Sequence, residues 1–192
     1  SSNSKIEQER GVVLVTVALL LVLLLSIGAL AVDIGSIMVV RNELQNAADA
    51  AALAAARVLY LPDGSAVNPG ANAVALAAVA DNDAQNLSVE TGADTANNGG
   101  DIQRGNWRWS DHSFTPNASL ALVQLAEISD AALDADNNFI NSVRVVVRRQ
   151  ATPAQSFLSS VMGFNSIPMQ AEAIAYIGFA GSLTEAEAQE PI

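Results

Sequence analysis

The segment from Gly11 to Val32, GVVLVTVALLLVLLLSIGALAV, contains no ionisable residue. At ~1.5 Å per helical residue it is long enough to cross the ~30 Å hydrocarbon layer of a bilayer. Polar residues arrive at Asp33, yet helix formers continue through IGSIMVVRNELQNAADAAALAAARVLY with no proline before Pro62. One continuous helix is therefore expected from about Ser4 to Tyr60, a rod ~80 Å long with a gentle bend allowed near Ser26 to Gly28. The short charged stretch SSNSKIEQER ahead of the apolar run imitates a secretory signal. The run is too long for a signal core and the same helix simply continues, so it reads as a retained anchor with its N-terminus inside.

Composition narrows the classes. The 192 residues suit a long helix plus one head of ordinary domain size. Net charge is −11 and the nine basic residues are scattered, which leaves no basic patch for phosphate backbones and argues against nucleic-acid binding. Cysteine is absent, so disulfides and thiol chemistry are excluded.

Small residues recur along the long helix. Gly28 and Gly35 lie seven residues apart with Ala31 between them, which lets helices approach closely. From Ala47 to Ala56 nearly every residue is alanine, and Leu44, Ala48, Ala51 and Ala55 form a stripe at i, i+4, i+7, i+11. Gly28, Ala31, Gly35, Leu44, Ala48, Ala51 and Ala55 are accordingly expected to pack against helices of other chains.

Pro62, Asp63 and Gly64 end the long helix. A second helix is expected over residues 71–86, a short strand from Ser88 to Thr91, and a loop over GADTANNGGD. The stretch DIQRGNWRWS reads as a strand with Trp107 and Trp109 on one side and Arg108 on the other. Burial in a sheet core is the expected use of the two rings, with carbohydrate stacking the alternative. Ser119 to Ile128 is ambiguous between helix and strand, and Asp134 to Asn138 reads as a turn. In SVRVVVRRQ, Val143, Val145 and Val147 face one way and Arg144, Val146 and Arg148 the other. Pro153 to Met162 suits a short helix, and Met169, Ala171, Ala173, Ala175 and Ile177 line one face of a last strand. If these strands pair antiparallel, Glu172 can meet Arg144 or Arg148. The tail SLTEAEAQEPI is acidic and expected to be mobile.

The run VDIGSIMVVRNELQNAADAAALAAARVL, following an apolar helix introduced by ERG, resembles the N-terminus of TadE/TadG-like proteins of tight-adherence, Flp-type pilus systems. The pattern rests on Asp33, Gly35, Arg41 and the block Leu44 to Leu53; GNW at 105–107, NSVRVVVRR at 141–149 and SIPMQAEAIAYIG resemble the family's strands. The resemblance implies a membrane-anchored or pilin-like component of pilus or secretion machinery, without catalysis. Some larger relatives carry a metal site on an Asp-x-Ser-x-Ser loop; Asp63, Gly64, Ser65, Ala66 and Val67 lack its second serine. Glu7 and Glu9 precede the apolar run, unlike the glutamate just inside the helix of ordinary type IV pilins.

Catalytic candidates are few. His112 sits in the polar loop SDHSFTPN, where adjacent side chains rarely reach triad geometry. The best metal candidate is calcium on Asp134, Asp136 and Asn138, with Asp81 and Asp83 a second cluster; the first lacks the glycine and glutamate of an EF-hand, so no metal or other cofactor is assigned. Asn86-Leu-Ser88 and Asn117-Ala-Ser119 match the N-glycan sequon.

The expectation is an α+β chain: a helix over 1–60, apolar over 11–32 and alanine-rich over 33–60, an antiparallel-sheet head with one or two short helices over 61–180, and an acidic tail over 181–192. The expected function is a pilin-like subunit that polymerises through its apolar helix, anchored in a bacterial inner membrane before assembly and displayed outside afterwards. Its expected partners are copies of itself, the membrane and the pilus machinery. The alternatives are a minor membrane-anchored component with a periplasmic partner-binding domain, and a sugar- or calcium-binding adhesin.

Overall fold

The computed structural model of the chain describes residues 2–94, 98–123, 128–154, 156 and 167–178, and the side chains of all of these except 2–11, 93 and 94. The tail 181–192 and most of the helix expected at 153–162 lie outside the described residues. Pro153 and Ala154 are the last residues of a strand.

Helix α1 runs without interruption from Ser2–Ala56. It ends four residues earlier than expected. The amides of Val58 and Leu59 bond back only three residues, to Ala55 and Ala56, tightening the last turn. Leu59 turns fully inward, and Tyr60 forms an isolated antiparallel bridge with Val67. Helix α2, Ala71–Ala80, folds back on α1. It stops short of the expected 86 because the chain forms a hairpin there. Strands β1 (Asp83–Ala84) and β2 (Leu87–Ser88) pair around Gln85 and Asn86, both at positive φ, as a two-residue hairpin requires. The predicted strand at 88–91 is thus reduced to this short ladder and a bridge from Glu90 to Arg148. Likewise the expected loop at 92–101 carries the two-residue strands β3 (Ala93–Asp94) and β4 (Gly99–Gly100).

The main sheet has four antiparallel strands in the order β6-β5-β7-β8: β5 is Ile102–Arg108, β6 Ser113–Pro116, β7 Ser142–Ala154 and β8 Ile167–Tyr176. Val143 pairs with Ala175, Val145 with Ala173 and Val147 with Ala171, so two apolar rows lie side by side. These rows face α1, and the alternation expected of both strands is what is observed. Residues 119–123 are neither helix nor strand, and α3, Asp130–Ala135, is capped by the Ser129 hydroxyl on the Ala132 amide. Asp134 therefore belongs to a short helix, while Asp136 to Asn138 keep the expected turn.

The alanine-rich half of α1 requires a correction. Leu44, Ala47, Ala48, Ala51, Ala52 and Ala55 are all fully buried, in one core with Val143, Val145, Val147 and the alanines of β8. The stripe expected to meet other chains packs instead inside its own. An exposed apolar sheet face has to be covered, and methyl-sized side chains on helix and strand let the two backbones approach closely.

Gly105 is required where β5 passes β6. A Cβ there would sit 2.8 Å from Cζ of Phe114 and would collide with the Thr115 carbonyl. Between Arg149 and Ala154 the register with β8 shifts, and Glu90 clamps this irregularity: its carboxylate accepts the amides of Gln150, Ala151 and Thr152 and the Thr152 hydroxyl at 2.8–3.0 Å.

Candidate functional site

The apolar half of α1 has no partner in its own chain. From Val12 to Val32 the large side chains are 50–72% exposed, and this continues on one side of the helix through Ile34, Met38 and Val39. On the opposite side the head begins at Asp33. Its carboxylate is 6% exposed and accepts the Ser156 hydroxyl at 2.6 Å. One turn on, the Gln85 side chain donates to the Ser36 hydroxyl and the Gln85 amide to the Glu43 carboxylate, both at 2.8 Å. These bonds tie the β1–β2 hairpin to the helix just past the apolar run. What projects freely, Val12 to Val32, is ~32 Å long, close to the thickness of a bilayer core.

Of the seven residues expected at an assembly surface, Gly28, Ala31 and Gly35 lie exposed on this projecting region and its continuation. A Cβ built at Gly28 or Gly35 meets no atom within 4 Å. Leu44, Ala48, Ala51 and Ala55 are core residues. The structure therefore separates two groups that the small-residue pattern alone ran together.

The head protects its sheet edges. On β8 the carbonyl of Glu172 accepts the Gln45 side chain from α1 at 3.2 Å, and Pro168 removes an amide. The other edge, β6, is four residues long and ends in Pro116. Glu172 pairs with Arg144 at 3.1 Å, one of the two contacts expected; Arg148 instead pairs with Asp101. The Arg144–Glu172 pair is half-exposed and contributes ~0.2–1 kcal/mol at most.

Two arginines lie inside the head. The Arg149 guanidinium is 1% exposed and donates to the carbonyls of Ala84 and Thr152, tying the hairpin to the bulged part of β7. Its sequence signal was the alternation itself, since it shares the inward parity of Val143, Val145 and Val147. Arg104, also buried, donates to the Asn68 carbonyl at 2.9 Å, and burial lowers its pKa. Next to it Asn98 accepts the Arg104 amide and the Asn72 side chain, while donating to the Arg104 carbonyl. Asparagine-mediated backbone contacts of this kind have no periodic signature. All of these groups hold structure, and the Tyr60 hydroxyl does the same: it donates to the Ile140 carbonyl at 2.5 Å, and burial pushes its pKa up to about 12.

The tryptophans require a second correction. Trp107 is half-buried and Trp109 is 49% exposed, so neither sits in the core. They lie on the sheet face away from α1, with ring centroids 6.2 Å apart and planes perpendicular. Trp109 also meets Tyr176 edge to face at 4.6 Å. The reason is that α1 and α2 already cover the other face. Asp134, one of the calcium candidates, accepts the amides of Trp109 and Ser110 at 2.6 and 3.1 Å; the Trp109 amide does most to lower its pKa. Asp136 bonds the amide and side chain of Asn138. Among the described residues no three His, Cys, Asp or Glu side chains converge as metal ligands. His112 is exposed at positive φ, with its ring 6.2 Å from Trp107.

Comparison with known families supplies the remaining finding. Residues 11–58 match the family model described as putative Flp pilus-assembly TadE/G-like, and residues 54–175 match that described as putative Tad-like Flp pilus-assembly. The first match covers α1 with its apolar run, and the second most of the head. No curated protein and no solved structure matches the chain.

Proposed function

The chain belongs to the Tad family of Flp pilus-assembly proteins, and from that premise we propose that it is a pilin-like structural subunit. In this reading the apolar helices of many copies bundle into the core of an extracellular filament, and the heads form its outer surface. The reading divides the chain into a stalk, residues 1–60, whose helix ends at Ala56, a head over 61–180 and an acidic segment over 181–192. Repetition of one heterologous contact generates an open helical polymer. The observation that carries the reading is the full exposure of Val12 to Val32 beside a head that fills its own core and blocks its own sheet edges. Among the described residues the helix carries the longest continuous run of exposed apolar side chains, and removing it from water is worth ~25 cal/mol per Å². Before assembly the same segment is long and apolar enough to cross a membrane, and membership of a pilus-assembly family supports a location in the cell envelope. No residue in this reading is catalytic.

One observation favours a second reading. Both matched families are described by pilus assembly rather than by the filament itself, as suits a minor membrane-anchored component whose head binds machinery partners. Negatively stained images of purified protein separate the two. Filaments that form from the full chain and are lost from the chain lacking residues 1–32 support the subunit. Filaments of unchanged diameter from the truncated chain refute the helix core, and a full chain that stays monomeric in micelles and liposomes supports the minor component.

A further inference from the structure

We propose that the sheet face bearing Trp109 and Tyr176 is a binding site for a neutral carbohydrate, with the sugar rings stacked on the two aromatic side chains. The inference does not depend on polymerisation, because the site is built by the head alone. Trp109 is 49% exposed and Tyr176 45%, an unusual degree of solvation for two large aromatic rings in mutual contact. With Trp107 perpendicular to Trp109, the rings form an angular platform.

The platform is held rigidly. The end of β5 pairs with β6 on one side, but its ladder with β7 stops at Gly105 and Ser142, and the Asn141 side chain continues the bonding on that side. Its Oδ1 accepts the Trp107 amide at 2.7 Å and its Nδ2 donates to the Trp107 carbonyl at 3.0 Å. Two residues on, Asp134 receives the amides of Trp109 and Ser110. Four hydrogen bonds thus fix the backbone of residues whose side chains contribute little to the core. Such preorganisation lowers the entropy cost of binding.

The surroundings select the ligand. Asp111 and Asp134 flank the platform on a chain of net charge −11, which disfavours acidic sugars. The cations around it are already engaged: Arg108, on the other side of β5, by Asp111 at 3.2 Å, Asn137 at 2.9 Å and the Ala135 carbonyl, and Arg144, on the same sheet face as Tyr176, by Glu172 at 3.1 Å and Gln103 at 3.3 Å. The Ser110 hydroxyl is taken up by the Asp134 carboxylate, whereas the Tyr176 hydroxyl makes no hydrogen bond among the described residues and remains open to a sugar hydroxyl. Aromatic rings beside the open Tyr176 hydroxyl, with acidic groups at the rim and the arginines engaged, match a neutral saccharide.

The test is a titration of the full chain in a sugar-free detergent with cellopentaose, maltopentaose and chitopentaose, followed by tryptophan fluorescence and by calorimetry. Saturable binding of at least one is expected. Trp109→Ala should weaken it about tenfold or more, Trp109→Phe less, and Tyr176→Phe about threefold; a galacturonate pentamer should not bind. Circular dichroism melts of each variant check that the head remains folded. Absence of saturable binding by all three neutral pentamers would overturn the proposal, as would an unchanged affinity in folded Trp109→Ala. If Trp109→Ala instead disrupts association between copies while no sugar binds, the face is a contact between subunits and the proposal is wrong.

Discussion

Ala51→Leu tests whether the alanine-rich half of α1 is a core or a surface. Ala51 is fully buried, and so are its helix neighbours Ala47, Ala48, Ala52 and Ala55 and the facing Val145 and Val147. Leucine introduces three additional carbons into a layer that has no exposed rim at this position. Overpacking of this kind costs ~1–3 kcal/mol, through strained rotamers and displaced backbone. For a chain of this size 1 kcal/mol corresponds to roughly 2–4 °C in Tm, so the variant should melt about 2–12 °C below the parent. Ala50→Leu is the control: the same chemical change, one residue away on the exposed side of the helix, where surface substitutions usually stay within about ±0.5 kcal/mol. The assay is thermal unfolding of the full chain in micelles below the assembly concentration, read in the near-ultraviolet signal of the tryptophans. If Ala51→Leu melts with the parent but assembles poorly, Ala51 faces another chain. If both variants lose stability equally, the separation of buried and exposed sides is wrong.

Gly28→Leu should leave the head's melting temperature unchanged, because a Cβ there meets no atom of the chain, while reducing filament yield in sedimentation assays. Gly105→Ala should cost ~1–3 kcal/mol in urea unfolding, since β6 has to move away from the new methyl; an unchanged midpoint would show that β6 peels off freely. Glu90 yields a pH signature. Desolvation pushes its pKa up, but the amides of Ala151, Gln150 and Thr152 and the Thr152 hydroxyl outweigh this and hold it at about 2, against an ordinary 4.5. A depressed pKa means that this stabilisation is complete above pH about 4.5 and is lost as pH falls toward 2. Glu90→Gln should lower the urea midpoint at pH 7 and flatten its decline between pH 4.5 and 2.5; an equally steep decline in the variant would refute the clamp.

Much of the architecture was legible because it is periodic or punctuated. An uncharged run followed by proline-free helix formers specifies α1, and alternation over 143–148 and 169–177 specifies β7, β8 and their inward faces. Local rules failed where non-local partners decided the outcome. The helix expected to reach 86 gave way at 81 to a hairpin that is anchored by Gln85 to Ser36 and Glu43, residues more than forty positions away. The paired tryptophans have the spacing of core residues, and only the location of α1 shows that their side of the sheet is the outer one.

Sequence alone thus determined the unbroken helix, the segment able to enter a bilayer, the inward rows of the two long strands and the family signature, because each depends on covalent spacing and side-chain polarity. Tertiary structure decided which small residues remain available to other molecules. Ala48 and Ala51 are as small as Ala31, and all three lie on one helix, but the head covers only the portion beyond Asp33. Exposure depends on where the rest of the chain comes to rest against the helix. The same dependence leaves Trp109 solvated and buries Arg149, contrary to the polarity of either side chain.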